Sequence, residues 1–130
     1  EINLSNEKNN GLTTLKLIKE KLVSSVHDVS SGGLLLALAE MSFNSPYGVK
    51  INKPKKISNL MEYCFGEDQS RYLIEINPTD LQKINKILDE NNIFNEIVGT
   101  VQKDYFEVTG ELKIEINNLY KTNDTWYNNY

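Results

Sequence analysis

The stretch that most constrains this chain is Ser25-Val26-His27-Asp28-Val29-Ser30-Ser31-Gly32-Gly33, followed at once by Leu34-Leu35-Leu36-Ala37-Leu38-Ala39. Residues 25–29 read as the end of a strand, the two serines and two glycines break it, and the apolar run predicts a helix to about Phe43. A helix that is apolar on nearly every side has no face to offer water, so it must be buried by other elements. A strand that turns sharply into such a helix belongs to a layered domain in which helices cover a sheet.

The flanking segments agree. In residues 11–22, Leu12, Leu15, Ile18 and Leu22 recur at helical spacing, which predicts one apolar face with lysines on the other. Ser45-Pro46-Tyr47-Gly48 is turn punctuation, Val49 to Asn52 a short strand, and Pro54-Lys55-Lys56 an exposed loop. Arg71 to Ile76 is β-branched and aromatic enough for a strand. Pro78 suits the first turn of a helix reaching about Asn91, with Asn77 or Thr79 as its cap and Leu81, Ile84, Ile87 and Leu88 along one side. Residues 93–101 and 105–108 predict further strands, and residues 113–120 an amphipathic helical tail. Asparagines crowd both ends, so residues 1–10 and 127–130 are expected to be loosely ordered around a domain at 11–126. The expected fold class is α/β (α+β): a sandwich with a mixed or antiparallel sheet and helices packed on it.

Composition enters as a set of exclusions. At 130 residues the chain suits one domain, large enough to bury its own core. A net charge of −4, without any block of lysine or arginine, speaks against nucleic acid, whose backbone demands a basic footprint. The longest apolar run, Leu34 to Ala39, is too short to cross a bilayer, and Glu1 opens no signal-peptide pattern. With one cysteine, Cys64, and one histidine, His27, neither an internal disulfide nor a zinc cluster is expected. Cys64 beside Phe65 reads as a buried thiol. These features together predict a cytoplasmic protein.

Two stretches can carry chemistry. At residues 28–33, glycines allow close approach of the backbone, and the first N–H groups of the following helix are free and lie at the positive end of its dipole. Ser30 and Ser31 add hydroxyls, and Asp28 adds a carboxylate through which Mg²⁺ could bridge to a phosphate. The same residues would also make an ordinary capped turn. In the second stretch, Gly66-Glu67-Asp68-Gln69-Ser70-Arg71, two carboxylates, an amide and a guanidinium stand before a strand, where they could hold a polar ligand or pair with one another in solvent. Glu67 and Asp68 are adjacent and point apart on an extended chain, so joint acid–base work is not indicated. His27 has no nucleophile partner, and its expected role is a hydrogen bond at the end of the strand. No catalytic side chain is assigned.

The order HDVSSGGLLLALAEM, then FGEDQSRYLIEI, then IVGTV resembles the C-terminal domain of the aminoimidazole-ribonucleotide-synthetase-like superfamily. Ala37 to Met41, Phe65 to Leu73 and Val98 to Val101 are most similar to the phosphoribosylformylglycinamidine synthases, and Trp126 near the end suits the short form without a fused glutaminase. The resemblance runs from about Asn10 to Trp126.

That resemblance implies a piece of an ATP-dependent ligase of purine biosynthesis. In it, ATP activates the formamide oxygen of formylglycinamide ribonucleotide through an iminophosphate, and ammonia from a glutaminase displaces phosphate to give the amidine. Such catalysis is mostly positioning and charge neutralisation around phosphate. It implies ATP or ADP and Mg²⁺ as ligands, with Asp28 as the metal ligand and Ser30 touching nucleotide beside Ser31, Gly32 and Gly33. It further implies a phosphoribosyl substrate or second-site role for Glu67, Asp68, Gln69 and Arg71. The implied partners are the N-terminal domains of one longer chain, a glutaminase subunit and a small accessory subunit. An isolated domain is expected to be inactive, because a nucleotide site needs a second wall. One departure stands out: the family pattern has aspartate where Ser31 stands. Two other readings remain open, namely a synthetase relative with another substrate, and a structural half-domain around a decayed auxiliary site.

Overall fold

Helix α2 (Gly33–Ser42) occupies the middle of the computed structural model, which describes residues 3–43, 45–54, 57 and 59–126. On one side lies an antiparallel ribbon of β1 (Ser25–Asp28) and β3 (Tyr72–Glu75). On the other lies a four-stranded sheet in the order β4 (Gly99–Lys103), β2 (Tyr47–Ile51), β5 (Tyr105–Val108), β6 (Leu112–Glu115). Strands β2 and β5 run parallel, and the other pairings are antiparallel. The sandwiched position explains the helix's composition: Leu34, Ala37, Leu38 and Ala39 join Val29, Val49, Ile51, Leu73, Phe106, Val108 and Ile116 in the main core. Leu36 and Glu40 are its exposed positions.

A second, smaller core lies beyond the ribbon. There α1 (Leu4–Lys19) and α4 (Leu81–Glu90) bring together Leu17, Leu22, Ile84, Ile87 and Leu88, with Ile74 and Ile76 packed against them. Neighbouring residues on β3 thus serve opposite cores, Leu73 the main one and Ile74 the smaller, as alternation along a strand requires. The remaining helices are α3 (Leu60–Phe65) beside α2, and α5 (Ile116–Thr125), which anchors Ile116 in the main core.

The mixed α/β architecture and its mixed sheet are as expected, and several boundaries differ. Helix α1 begins at Leu4, where a loosely ordered lead-in was expected. The asparagines responsible are fasteners: Asn3 Oδ1 accepts the N–H of Asn6, Asn9 donates to the carbonyl of Asn91 at 2.7 Å, and Asn10 donates to that of Ser70 at 2.9 Å. The buried side of α1 also differs. Thr13 and Leu17 face inward while Leu12, Leu15 and Ile18 are exposed; of the expected stripe only Leu22, just past the helix, enters the core. The inward face carries Leu17 beside the polar Thr13 and Asn10, so the apolar period marks the outer face and misleads about which one this fold buries.

Strand β2 starts at Tyr47, inside the expected turn, because Gly48 fits a close crossing where an ideal Cβ would stand 2.2 Å from the Tyr105 carbonyl oxygen. The expected strand over 93–101 is irregular until Gly99, and β6 takes residues 112–115 before the terminal helix starts at Ile116. Asn77 caps the 3₁₀ turn Pro78–Asp80 that opens α4, its Oδ1 accepting the N–H of Thr79 at 3.0 Å. Helix α3 had no counterpart in the sequence reading. Residues 55–56 of the expected exposed loop, and the expected tail at 127–130, lie outside the described residues.

Candidate functional site

The β1–β3 ladder brings the two chemistry-bearing stretches together. Asp28 pairs with Tyr72, and the next rung is extended by the Val29 N–H, which donates to the Arg71 carbonyl at 2.9 Å. The end of β1 and the start of β3 therefore open side by side, and an open hollow of about 380 Å³ lies between them. Asp28, Ser30 and Ser31 line it from the first stretch, and Glu67, Gln69 and Arg71 from the second.

The turn itself is built differently from a simple serine cap. Gly33 N–H donates to the Ser30 carbonyl at 3.0 Å, and no side chain of the turn caps α2. The cap comes from across the chain: Glu67 Oε1 accepts the N–H of Gly32 at 2.8 Å. A carboxylate at the start of a helix is favoured by both the free donors and the dipole. Both glycines have positive φ, 76° at Gly32 and 66° at Gly33. At Gly33 an ideal Cβ would also stand 2.7 Å from Phe65 Cα, so only glycine lets α2 meet the end of α3. Gly33 thus makes its close approach to the protein's own backbone, and Gly32 makes its own to the Leu36 side chain. Gly33 is buried, and neither glycine lines the hollow.

Asp68 also stands apart. Its carboxylate lies 3.6 Å from Arg71, whose guanidinium donates to the Gly66 carbonyl as well, and Asp68 does not line the hollow. Glu67 and Asp68 point to different partners, consistent with the argument against joint acid–base work. Arg71 is therefore occupied in holding its own loop.

His27 closes the end of the strand as expected: Nδ1–H donates to the Asp28 carbonyl at 2.6 Å, and Nε2 lies 3.2 Å from Glu40. Cys64 is buried, and burial pushes its thiol pKa up, so it is a packing residue.

Glu7, Ser70 and Tyr72 line the hollow without having been anticipated. Glu7 could be found only by extending α1 through the asparagine-rich start of the chain. Ser70 lies within the second stretch, but its place comes from the fold: it sits at φ 68° where the loop reverses into β3, and Asn10 donates to its carbonyl and hydroxyl oxygens.

Electrostatics narrows what this wall can hold. Carboxylates of Glu7, Asp28 and Glu67 surround it, and the one guanidinium, Arg71, is already engaged. A bare polyphosphate would be repelled, whereas one carrying a divalent cation would be accepted, because hard carboxylate and hydroxyl oxygens suit Mg²⁺. Among the described residues, however, no three acidic, histidine or cysteine groups converge into a cation cage. Asp28 is largely exposed, with its side chain 65% accessible, and can supply one ligand of a shell completed by phosphate oxygens and water.

Comparison with known proteins follows the same lines. The phosphoribosylformylglycinamidine synthase subunit PurL of Pelagibacter ubique is 45% identical over 130 residues, covering 100% of this chain and 18% of that protein. The PurL of Bartonella bacilliformis is 34% identical over 97% of this chain and 17% of its own length. The chain thus spans less than a fifth of the length of the curated relatives it matches. Among solved structures, T. maritima PurL complexed with ATP superposes with a TM-score of 0.73 at 19% identity, covering 87% of this chain and 21% of that one. The same protein complexed with FGAR gives 0.74 at 20% identity, over 88% and 21%. At that identity the superposition establishes the fold. The family model described as AIR synthase related protein, C-terminal domain, matches residues 4–111, and this chain belongs to that family.

Proposed function

We propose that this chain is the C-terminal domain of a phosphoribosylformylglycinamidine synthase, an ATP-dependent ligase that converts formylglycinamide ribonucleotide and glutamine-derived ammonia to the amidine in purine biosynthesis. The observation that carries the reading is the juxtaposition of Asp28, Ser30 and Ser31 with Glu67 and Gln69 around one hollow. Relatives named PurL, and T. maritima PurL solved with ATP and with FGAR, support it. The remaining domains of the longer chain supply the opposite wall, and a glutaminase and a small accessory subunit complete the assembly, in keeping with a T. maritima structure of PurLQS.

Within this division of labour the chain contributes binding and orientation. Asp28 would hold Mg²⁺, which would supply charge neutralisation for the phosphates of ATP or ADP. Ser30 and Ser31 present hydroxyls to phosphate or ribose oxygens, and serine in the place of the usual aspartate lowers the negative charge of the wall. Glu67 fixes the turn through Gly32, and Gln69 is the neutral polar group available to a phosphoribosyl substrate. Gly33 shapes the turn, while Asp68 and Arg71 brace the loop that carries Glu67 and Gln69. The working compartment of such an enzyme is the cytoplasm, and no described helix is long and apolar enough to cross a membrane.

The test is titration of the full-length protein with Mg-ATP and Mg-ADP. Asp28→Asn is expected to weaken affinity at one site about tenfold or more, equivalent to ~1.4 kcal/mol. Unchanged affinity and turnover would end the nucleotide-binding reading. One observation favours a second reading, a structural half-domain beside an auxiliary site: the Gly32 N–H, a donor an anion would use, is already taken by Glu67. In that case Asp28→Asn leaves ligase turnover intact and lowers only the stability of the assembly.

A further inference from the structure

Helix α1 carries an apolar stripe that the domain does not use. Leu4, Leu12, Leu15 and Ile18 are 74%, 56%, 43% and 45% exposed. At helical spacing they fall within an arc of about 120°, centred opposite the inward Leu17, along roughly 21 Å of helix. Leu17 packs into the smaller core with Ile84, so the helix is already held from its inner side and its outer side has no further role in this fold.

The charges along the stripe are equally unmatched. Besides Glu7 at one edge, the charges of this arc are the lysines Lys8 and Lys19 within it and Lys16 at its other edge. All three are exposed, and none forms an ion pair among the described residues. Elsewhere on the surface Lys50, Lys53, Lys83, Lys86 and Lys113 each face a carboxylate, whereas Lys21, Lys103 and Lys121 stand singly among the described residues, so what marks α1 is that its lysines flank an apolar stripe. An apolar stripe set among unpaired ammonium groups is complementary to an apolar patch rimmed by carboxylates. It is poorly complementary to itself, since pairing two copies along α1 would set lysines against lysines.

We propose that the outer face of α1 is a docking surface for a carboxylate-rimmed apolar protein surface belonging to the same, longer polypeptide. More than four-fifths of each matched relative lies outside the segment this chain covers, which provides ample protein to bury the stripe. The inference does not depend on what the hollow binds.

The experiment is zero-length carbodiimide cross-linking of the full-length protein, read by peptide mass spectrometry, alongside thermal unfolding of Leu15→Asn. Bonds from Lys8, Lys16 or Lys19 to aspartate or glutamate outside this segment are expected, with Leu15→Asn lowering the Tm by several degrees. Cross-links confined to the segment, with an unchanged Tm, would overturn the proposal by showing the stripe open to solvent. Links between two copies in an isotope-mixed sample would overturn it in favour of self-association. Sedimentation with anionic vesicles, abolished by Leu15→Asn, would overturn it in favour of a lipid surface.

Discussion

The carboxylate of Glu67 and the backbone N–H of Gly32 stand 2.8 Å apart across 35 positions of sequence, and this bond joins the loop before β3 to the start of α2. Because the bond is exposed, its net contribution is about 0.5–1.5 kcal/mol. Glu67→Ala is expected to lower stability by that amount in urea unfolding, and Glu67→Gln, which keeps an acceptor oxygen, to recover a good part of it. Equal loss in both variants would mean that the charge matters and the geometry does not.

Two of the three positive-φ glycines, Gly33 and Gly110, separate strain from crowding. Gly33 sits at φ 66° with its missing Cβ 2.7 Å from Phe65 Cα, whereas at Gly110, φ 80°, the nearest atom is Lys53 Nζ at 3.8 Å. Gly110→Ala is expected to cost about 1 kcal/mol from backbone conformation alone. Gly33→Ala adds a backbone clash and is expected to cost about 2–5 kcal/mol. Comparable chemical-denaturation midpoints for the two variants would contradict the close packing of α2 on the end of α3.

Tyr63 gives a signature at high pH. Its hydroxyl is buried without a hydrogen-bond partner among the described residues, and burial, reinforced by Glu96 and Cys64 and opposed by Arg71, pushes its pKa up to about 12. An unfolded tyrosine titrates near 10, so the unfolded chain loses its proton first. Stability from this group is complete below about pH 10 and falls as pH rises toward 12. Tyr63→Phe is expected to be within about 1 kcal/mol of the parent at pH 7 and to lose less stability on that alkaline ramp. Parallel pH curves for the two proteins would rule this out.

The two cores, on opposite sides of the β1–β3 ribbon, predict independence. Ile51 and Ile84 are 0% and 1% exposed, one in each core. Each Ile→Val change is expected to cost about 0.5–1.5 kcal/mol. The double variant should equal the sum within about 0.5 kcal/mol, because the sites share no partners. A larger coupling would show that the ribbon transmits packing strain between the cores.

Much of this was legible in the sequence where local pattern and tertiary use coincide. The apolar run at 34–39 could only be an enclosed helix, and Ile84, Ile87 and Leu88 mark the face of α4 that is buried. Legibility failed where a residue's partner lies far along the chain. Asn9 and Asn10 look like a frayed end, yet they hold Asn91 and Ser70. Leu12, Leu15 and Ile18 form a stripe as regular as any core face, yet this fold buries the face where Leu17 stands beside Thr13. At the candidate site, Asp28, Ser30, Glu67 and Gln69 could be singled out one stretch at a time. That Glu67 would cap Gly32, while Asp68 turned to Arg71, followed only from the register of β1 against β3.

That register also sets when the hollow comes into being. Its lining is assembled from segments separated by a helix, a sheet strand and a further helix, so no early local fragment of the chain contains it. A two-stranded ribbon is marginal alone in water, and this one closes only when the layers on both sides are in place. Formation of the hollow should therefore be among the last events of folding and its loss among the first of unfolding. Mutations deep in either core would then be felt at the site as a shortened lifetime of the competent state, with no residue of the hollow itself altered.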